Sequence, residues 1–103
     1  PMTIVSDGLQ RRDFTHVLDV VEANLLASTT TNSAALGQVF NVGTGTNHSV
    51  LELVQAIGGE YEHIPPRIGE AENTLADITK IKTLLGWTPK KKFMEYVARE
   101  VEN

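Results

Sequence analysis

Two arginines give this chain its chemical character. Arg12 sits in GLQRRDFTHVLDVVEANLLA, residues 8–27, and Arg67 in PPRIGE, residues 65–70, with FNVGTG between them at 40–45. A guanidinium presents five N–H donors in a planar fork that grips oxyanions two contacts at a time and stays charged. Together Arg12 and Arg67 read as the rims of one anionic-ligand site. The groups that would do chemistry beside them are missing. There is no cysteine, so thiolate nucleophiles, disulfides and thiolate metal sites are excluded. His16, His48 and His63 lie far apart and share no ligand spacing, so no metal site is expected. These residues describe a site that holds its ligand without transforming it.

The elements that must position the arginines can be traced along the chain. Residues 2–5 (MTIV) form a short β-prone run, stopped by the turn signal Ser6-Asp7-Gly8. Residues 14–17 can extend as a second strand. Val17, Val20, Val21, Leu25 and Ala27 recur at three- and four-residue spacing, which predicts a helix over 17–27 with one apolar face. The polar tract 28–33 is a surface loop, and residues 38–42 form a strand closed by Gly43-Thr44-Gly45. Ser49-x-x-Glu52 is a capping box, in which the hydroxyl accepts from the Glu52 amide and the carboxylate reaches back to the Ser49 amide. It opens a helix over 50–57 that ends at Gly58-Gly59. A strand over 61–64 is cut off by Pro65-Pro66. Asp77 caps a helix running through Leu85 to a stop at Gly86, and a last helix over 93–101 places Phe93, Val97 and Val101 on one face.

The order β-β-α-β-α-β-α-α predicts one small mixed α/β domain over residues 1–103. One step in it is incomplete. A strand at 38–42 leading into a capped helix is a βα step of a parallel sheet, and such sheets are covered on both faces and flanked by further strands. Too few strands are present for that, so either 38–42 pairs in a small mixed sheet or its neighbours lie in a segment outside this sequence, and the second is the expectation.

Composition narrows the function classes. With 103 residues, 41% hydrophobic and 21% charged, the chain can close a single core and is not a disordered tail. A net charge of -4 argues against a nucleic-acid partner, and Lys90, Lys91 and Lys92 read as a solvated face. No apolar run approaches the ~20 residues that span a bilayer, so no membrane association is expected. No signal peptide is read, a cytoplasmic location is the expectation, and the sequon Asn47-His48-Ser49 is accidental. Several eye-catching residues have plain structural readings. Asp13 and Asp19 bind backbone amides, Gly43-Thr44-Gly45 is a turn without the GK[ST] of a phosphate loop, and Trp87 anchors a core.

The run MTIVSDGLQRRDFTHVLDVVEANLLA, then QVFNVGTGTNHSVLELV, PPRIGE and ADITKIKTLLGWTP, in that order, resembles the C-terminal portion of the extended short-chain dehydrogenase/reductase family. Within it the resemblance is to NAD-dependent sugar-nucleotide epimerases and dehydratases, UDP-glucose 4-epimerase-like enzymes among them. It implies the C-terminal part of a Rossmann-type epimerase with short strands and about four helices, lacking the N-terminal dinucleotide-binding sheet. It also implies that Arg12, in the Arg12-Asp13-Phe14 motif, and Arg67, before Ile68-Gly69-Glu70, grip a nucleotide diphosphate. Two guanidinium forks balance a diphosphate's charge.

The sequence departs from the family pattern at Ser6, where glycine is frequent, at Leu9 (acidic), Arg11 (threonine) and Ile68 (proline). By motif register Arg12 is expected to point inward and Arg11 outward. NAD belongs to the full-length relatives. This chain has no G-x-x-G-x-x-G turn, and no tyrosine has a lysine four residues on, since Tyr61 is followed by Pro65 and Tyr96 by Glu100. The resemblance therefore implies a nucleotide-sugar-binding part, bound weakly or not at all in isolation and not catalytic on its own. The alternative is a non-catalytic assembly or protein-binding module that reuses the fold. In either case residues 17–42 are expected to leave an apolar patch to be covered by a cofactor domain or by a second copy in a homo-oligomer.

Overall fold

Ile4 and the turn that follows it organise one edge of the molecule. A computed structural model describes residues 1–102. Strand β1 (Met2–Val5) buries Ile4 completely and pairs in parallel with β4 (Tyr61–Ile64), Met2 opposite Tyr61 and Val5 opposite Ile64. The parallel crossover between them runs through helix α2 (Val50–Ile57), which packs against both β1 and the C-terminal helix α4 (Phe93–Glu102). A second ladder pairs β2 (Arg11–Arg12) antiparallel with β3 (His48–Ser49), Arg11 opposite Ser49 and Arg12 opposite His48. Helices α1 (Val17–Thr29) and α3 (Thr79–Leu85) complete the order, with a 3-10 turn at Ser33–Ala35.

Local signals set the ends of several elements. The Ser49 hydroxyl accepts from the Glu52 amide at 3.0 Å, and Gly58 closes α2 at φ +82°. Gly86 ends α3 in the left-handed conformation expected of a glycine stop. Asp77 lies one residue before the position assigned to it. Ile78 is the N-cap, while the Asp77 carboxylate accepts from the Thr79 amide at 3.0 Å, a bond that holds its pKa below the ordinary value.

Long-range partners move other elements. No strand forms at 14–17; Phe14 instead stacks on Phe93, with ring centres 4.1 Å apart and planes 9° from parallel. The strand lies earlier, at Arg11–Arg12, because Arg11 exchanges backbone bonds with Glu72 and Thr74 as well as facing β3. Residues 38–42 keep the alternation of a strand, Phe40 and Val42 turned to the core and Val39 82% exposed, yet they join no ladder among the described residues.

Helix α1 runs two residues beyond its expected end at Ala27 and turns an unexpected face inward. Val17, Val21 and Leu25 face solvent, and the buried positions are Asp19 and Ala23. The cause is Trp87, which is fully buried and donates from Nε1 to the Asp19 carbonyl at 3.0 Å. The Asp19 carboxylate accepts from the Lys90 and Lys91 amides at 3.2 and 3.0 Å. A buried carboxylate with two amide partners is a satisfied one. Around this contact Ala23, Ile78, Ile81 and Trp87 form the core, with Leu26, Phe40, Val42, Ala76 and Leu85 packed against it.

The molecule is a thin slab, 50 × 35 × 16 Å, with a radius of gyration of 16.5 Å. A compact chain of this length has about 13 Å. Its 6947 Å² of accessible surface exceeds the about 5,700 Å² of a compact monomer of its mass by about a fifth. Such a slab has little core to spare. Trp87→Ala should therefore destabilise the chain by about 3–5 kcal/mol, a large share of a typical domain's stability. Denaturant unfolding measures this, and an unchanged midpoint would place the main core elsewhere.

Candidate functional site

The turn after β1 forms one wall of the candidate site. Ser6 adopts φ +59°, a left-handed conformation uncommon for a residue with a Cβ, and Gly8 adopts φ +76°. A Cβ on Gly8 would stand 2.8 Å from Ile4 Cγ2 and 3.2 Å from Leu51 Cβ, so only glycine fits. The Gly8 carbonyl accepts from the Leu51 amide at 2.9 Å, seating the turn on the first turn of α2. Asp7 Oδ1 accepts from the Leu9 amide at 3.0 Å, Gln10 Nε2 donates to the Val5 carbonyl at 3.1 Å, and His63 Nδ1 donates to the Ser6 carbonyl at 2.7 Å.

Across from this turn lies the segment that follows Pro65-Pro66. A cleft of about 430 Å³ separates the two, with Ser6, Asp7 and Gln10 on one side and Arg67, Glu70 and Glu72 on the other. Arg67 is exposed on this wall. Arg12 is not a wall residue. Its Nη2 lies 3.7 Å from Glu70 Oε1, and its Nη1 donates to the Arg11 carbonyl at 2.8 Å. The two arginines are thus joined through the loop carrying Glu70, and they do not face each other across the cleft.

Arg11 differs from expectation. Its side chain diverges from that of Arg12, as strand alternation requires, and is the more exposed of the two, yet it is tied to its neighbours and not free in solvent. It donates from Nε to Asn47 Oδ1 at 2.9 Å, from Nη1 to Glu52 Oε1 at 3.0 Å and from Nη2 to the Asn47 carbonyl at 3.0 Å. The reciprocal arm of the capping box changes for the same reason. Glu52 spends its carboxylate on Arg11 and on His48 Nδ1, 3.1 Å away. The His48 contact, with help from Arg11, holds the Glu52 pKa below its ordinary value. Spacing alone could flag Glu52 as an acid near β3; its choice of partner needed the fold.

Asp13 behaves as the plain reading anticipated. Its carboxylate accepts from the Thr44 amide (2.9 Å) and hydroxyl (2.6 Å), the Gly45 amide (3.1 Å) and the Ala76 amide (3.3 Å). Burial pushes its pKa up, but these bonds outweigh it and the net shift is downward. Gly43 is required here, because a Cβ would lie 2.5 Å from Ala76 Cβ and 2.8 Å from Asp13 Oδ2. Gly43 thus admits a carboxylate of the chain itself.

Tyr61 stands edge-on to His63 at 5.9 Å and Tyr96 edge-on to His16 at 5.2 Å. Among the described residues no group of three His, Asp or Glu side chains is placed to hold a metal, and no helix is long and apolar enough to cross a membrane.

The sequence profile of the GDP-mannose 4,6 dehydratase family matches residues 1–100. The chain belongs to that family. Among its curated relatives is UDP-glucose 4-epimerase of Mycolicibacterium smegmatis, 40% identical over 105 residues, which covers 96% of this chain and 33% of the relative. Among solved structures, UDP-glucose 4-epimerase of Thermotoga maritima with UDP-glucose superposes with a TM-score of 0.83 at 37% identity, over 98% of this chain and 33% of that one. MoeE5 in complex with UDP-glucuronic acid and NAD superposes at 0.87 with 35% identity, over 99% of this chain and 36% of that one. The chain therefore spans about a third of the length of the family members it matches. The small mixed α/β fold with four helices is the C-terminal part of Rossmann-like epimerases.

The Asp13 cluster makes stability sensitive to acid. A carboxylate with a lowered folded pKa stabilises the fold fully above its unfolded pKa and loses that contribution as pH falls through the folded value. Wild-type stability should fall as pH drops below the ordinary aspartate range, and Asp13→Asn should flatten that part of the curve. At neutral pH the variant should cost about 1 kcal/mol, the low end for a half-buried acceptor set. Denaturant midpoints measured from neutral to acid pH check both, and parallel curves would remove Asp13 as the acid-sensitive group.

Proposed function

We propose that this chain is the nucleotide-sugar-binding part of an NAD-dependent sugar-nucleotide epimerase or dehydratase, with Arg12 and Arg67 as its diphosphate clamp. The observation that carries the reading is the loose pair between Arg12 and Glu70. At 3.7 Å it is well beyond the about 2.7–2.9 Å of a charge-assisted hydrogen bond. The guanidinium already faces an oxyanion at the cleft's edge, and a phosphate can replace that carboxylate with shorter contacts. Arg67 stands on the wall of the same cleft. The chain contributes binding and not turnover, because no tyrosine–lysine pair or dinucleotide turn is present in the sequence. NAD belongs to the portion of the family's length that this chain does not span.

Titration of the chain with UDP-glucose tests the clamp. A charged hydrogen bond contributes on the order of 1.5–3 kcal/mol, so Arg12→Ala and Arg67→Ala should each weaken binding about tenfold or more. Glu70→Gln, which removes the competing carboxylate, should tighten it. Equal affinities for wild type and both alanine variants would end the assignment.

A second reading, assembly, is favoured by the apolar row Val17, Val21 and Leu25 on α1 together with exposed Leu36 and Val39. Contiguous apolar patches above a few hundred Å² are uncommon on monomers. At about 25 cal/mol per Å², covering one in a symmetric dimer yields several kcal/mol before association costs. The isolated chain is therefore expected to self-associate. Sedimentation across a concentration series should show mass rising above the monomer, and a constant monomer into the high micromolar range refutes it.

A further inference from the structure

We infer that Arg11 is a positioning residue that locks the strand carrying Arg12 between helix α2 and residues 72–74. The inference rests on the phosphate-binding reading of Arg12 for its consequence, and on contacts of Arg11 alone for its geometry. All three donor nitrogens of the Arg11 side chain are engaged, Nε and Nη2 by Asn47 and Nη1 by Glu52. A planar fork with three acceptors admits one orientation, which an ammonium or a hydroxyl cannot reproduce.

Each acceptor is itself tied to a different element. Glu52 is held at the start of α2 by the Ser49 cap and is contacted by His48 of β3. Asn47 Nδ2 donates to Asn73 Oδ1 at 2.6 Å and to the Thr74 carbonyl at 3.2 Å. The Arg11 backbone closes the same circuit, its amide donating to the Glu72 carbonyl at 2.8 Å and its carbonyl accepting from the Thr74 amide at 3.0 Å. That carbonyl also receives Arg12 Nη1. The residue next to Arg12 therefore fixes both the strand that carries the guanidinium and a carbonyl that orients it. It also ties that strand to the segment that follows Arg67 and Glu70. The ion pair adds little to global stability, since both side chains are 41% exposed. What Arg11 supplies is register.

The test uses Arg11→Thr, which removes the guanidinium and puts a strand-favouring β-branched residue in its place, and Asn47→Ala, which removes an acceptor and the link to Asn73. In the ligand-free chain, amide hydrogen exchange at Thr74 and Val50, which donate to the Arg11 and Gln10 carbonyls at 3.0 Å, should quicken about tenfold in both variants, while that of Ala23 in the core of α1 stays unchanged. UDP is the binding probe. Arg11→Thr should weaken it about fivefold or more, and should have no further effect once Arg12 is alanine, because Arg11 acts through Arg12. Unchanged exchange at Thr74 and Val50 overturns the inference whether or not UDP binds. An undiminished Arg11 effect in the Arg12→Ala background overturns it in favour of direct ligand contact. Faster exchange in a chain whose wild type binds no UDP retires the phosphate clamp and leaves the lock standing.

Discussion

The carboxylate of Asp13 does for this chain what a sheet edge does for a larger one. Among the described residues a dozen lie in strands, in two ladders of two strands each, so many loop amides have no backbone partner. A buried amide without a partner is costly, and the chain answers with side-chain oxygens. Asp13 gathers the amides of Thr44, Gly45 and Ala76, drawing two separate stretches onto the residue beside Arg12. Asp19 does the same for Lys90 and Lys91, and Asn32 for Ala34 while donating to the Leu84 carbonyl. Among the described residues no buried side-chain nitrogen or oxygen is left unpartnered.

That economy explains where the site lies. Arg12 is set between Arg11, which faces α2 and Asn47, and Asp13, which faces the 43–45 turn. Neighbours anchored in two directions leave one arm of the middle guanidinium without a tight partner: Nη1 is held by the Arg11 carbonyl, while the Nη2 contact with the Glu70 carboxylate is a long one. The binding role proposed for Arg12 needs this combination of a fixed backbone and one uncommitted arm of the fork.

The slab shape follows from the same sparse hydrogen bonding. A 16 Å thickness leaves room for one helix layer against short ladders, so the core concentrates on Trp87 and its neighbours and one face of α1 stays apolar and open. Residues 38–42 keep the alternation of a strand with no strand beside them, and Val39 stays exposed.

Elements governed by neighbours in sequence were legible from the sequence alone. Met2–Val5, Val50–Ile57 and Tyr61–Ile64 lie where their apolar runs, capping serine and terminating glycines or prolines put them. The structural roles of Asp13, Asp19 and Trp87 were legible too, because a lone acid beside loops and a large aromatic beside a turn have few other stable uses. Other features depended on partners tens of residues away. The strand formed at Arg11–Arg12 and not at 14–17, because residues 72–74 lay beside the former and Phe93 claimed Phe14. Periodicity showed that α1 has an apolar face, but Trp87 chose which face is buried by needing the Asp19 carbonyl. Arg11 and Glu52 found each other across 41 positions, a pairing that no local pattern encodes. Local sequence determines where chain segments start and stop, since caps and turns act within a few residues. Which side chains meet is decided only when the segments pack, because each buried donor takes the acceptor that packing brings to it.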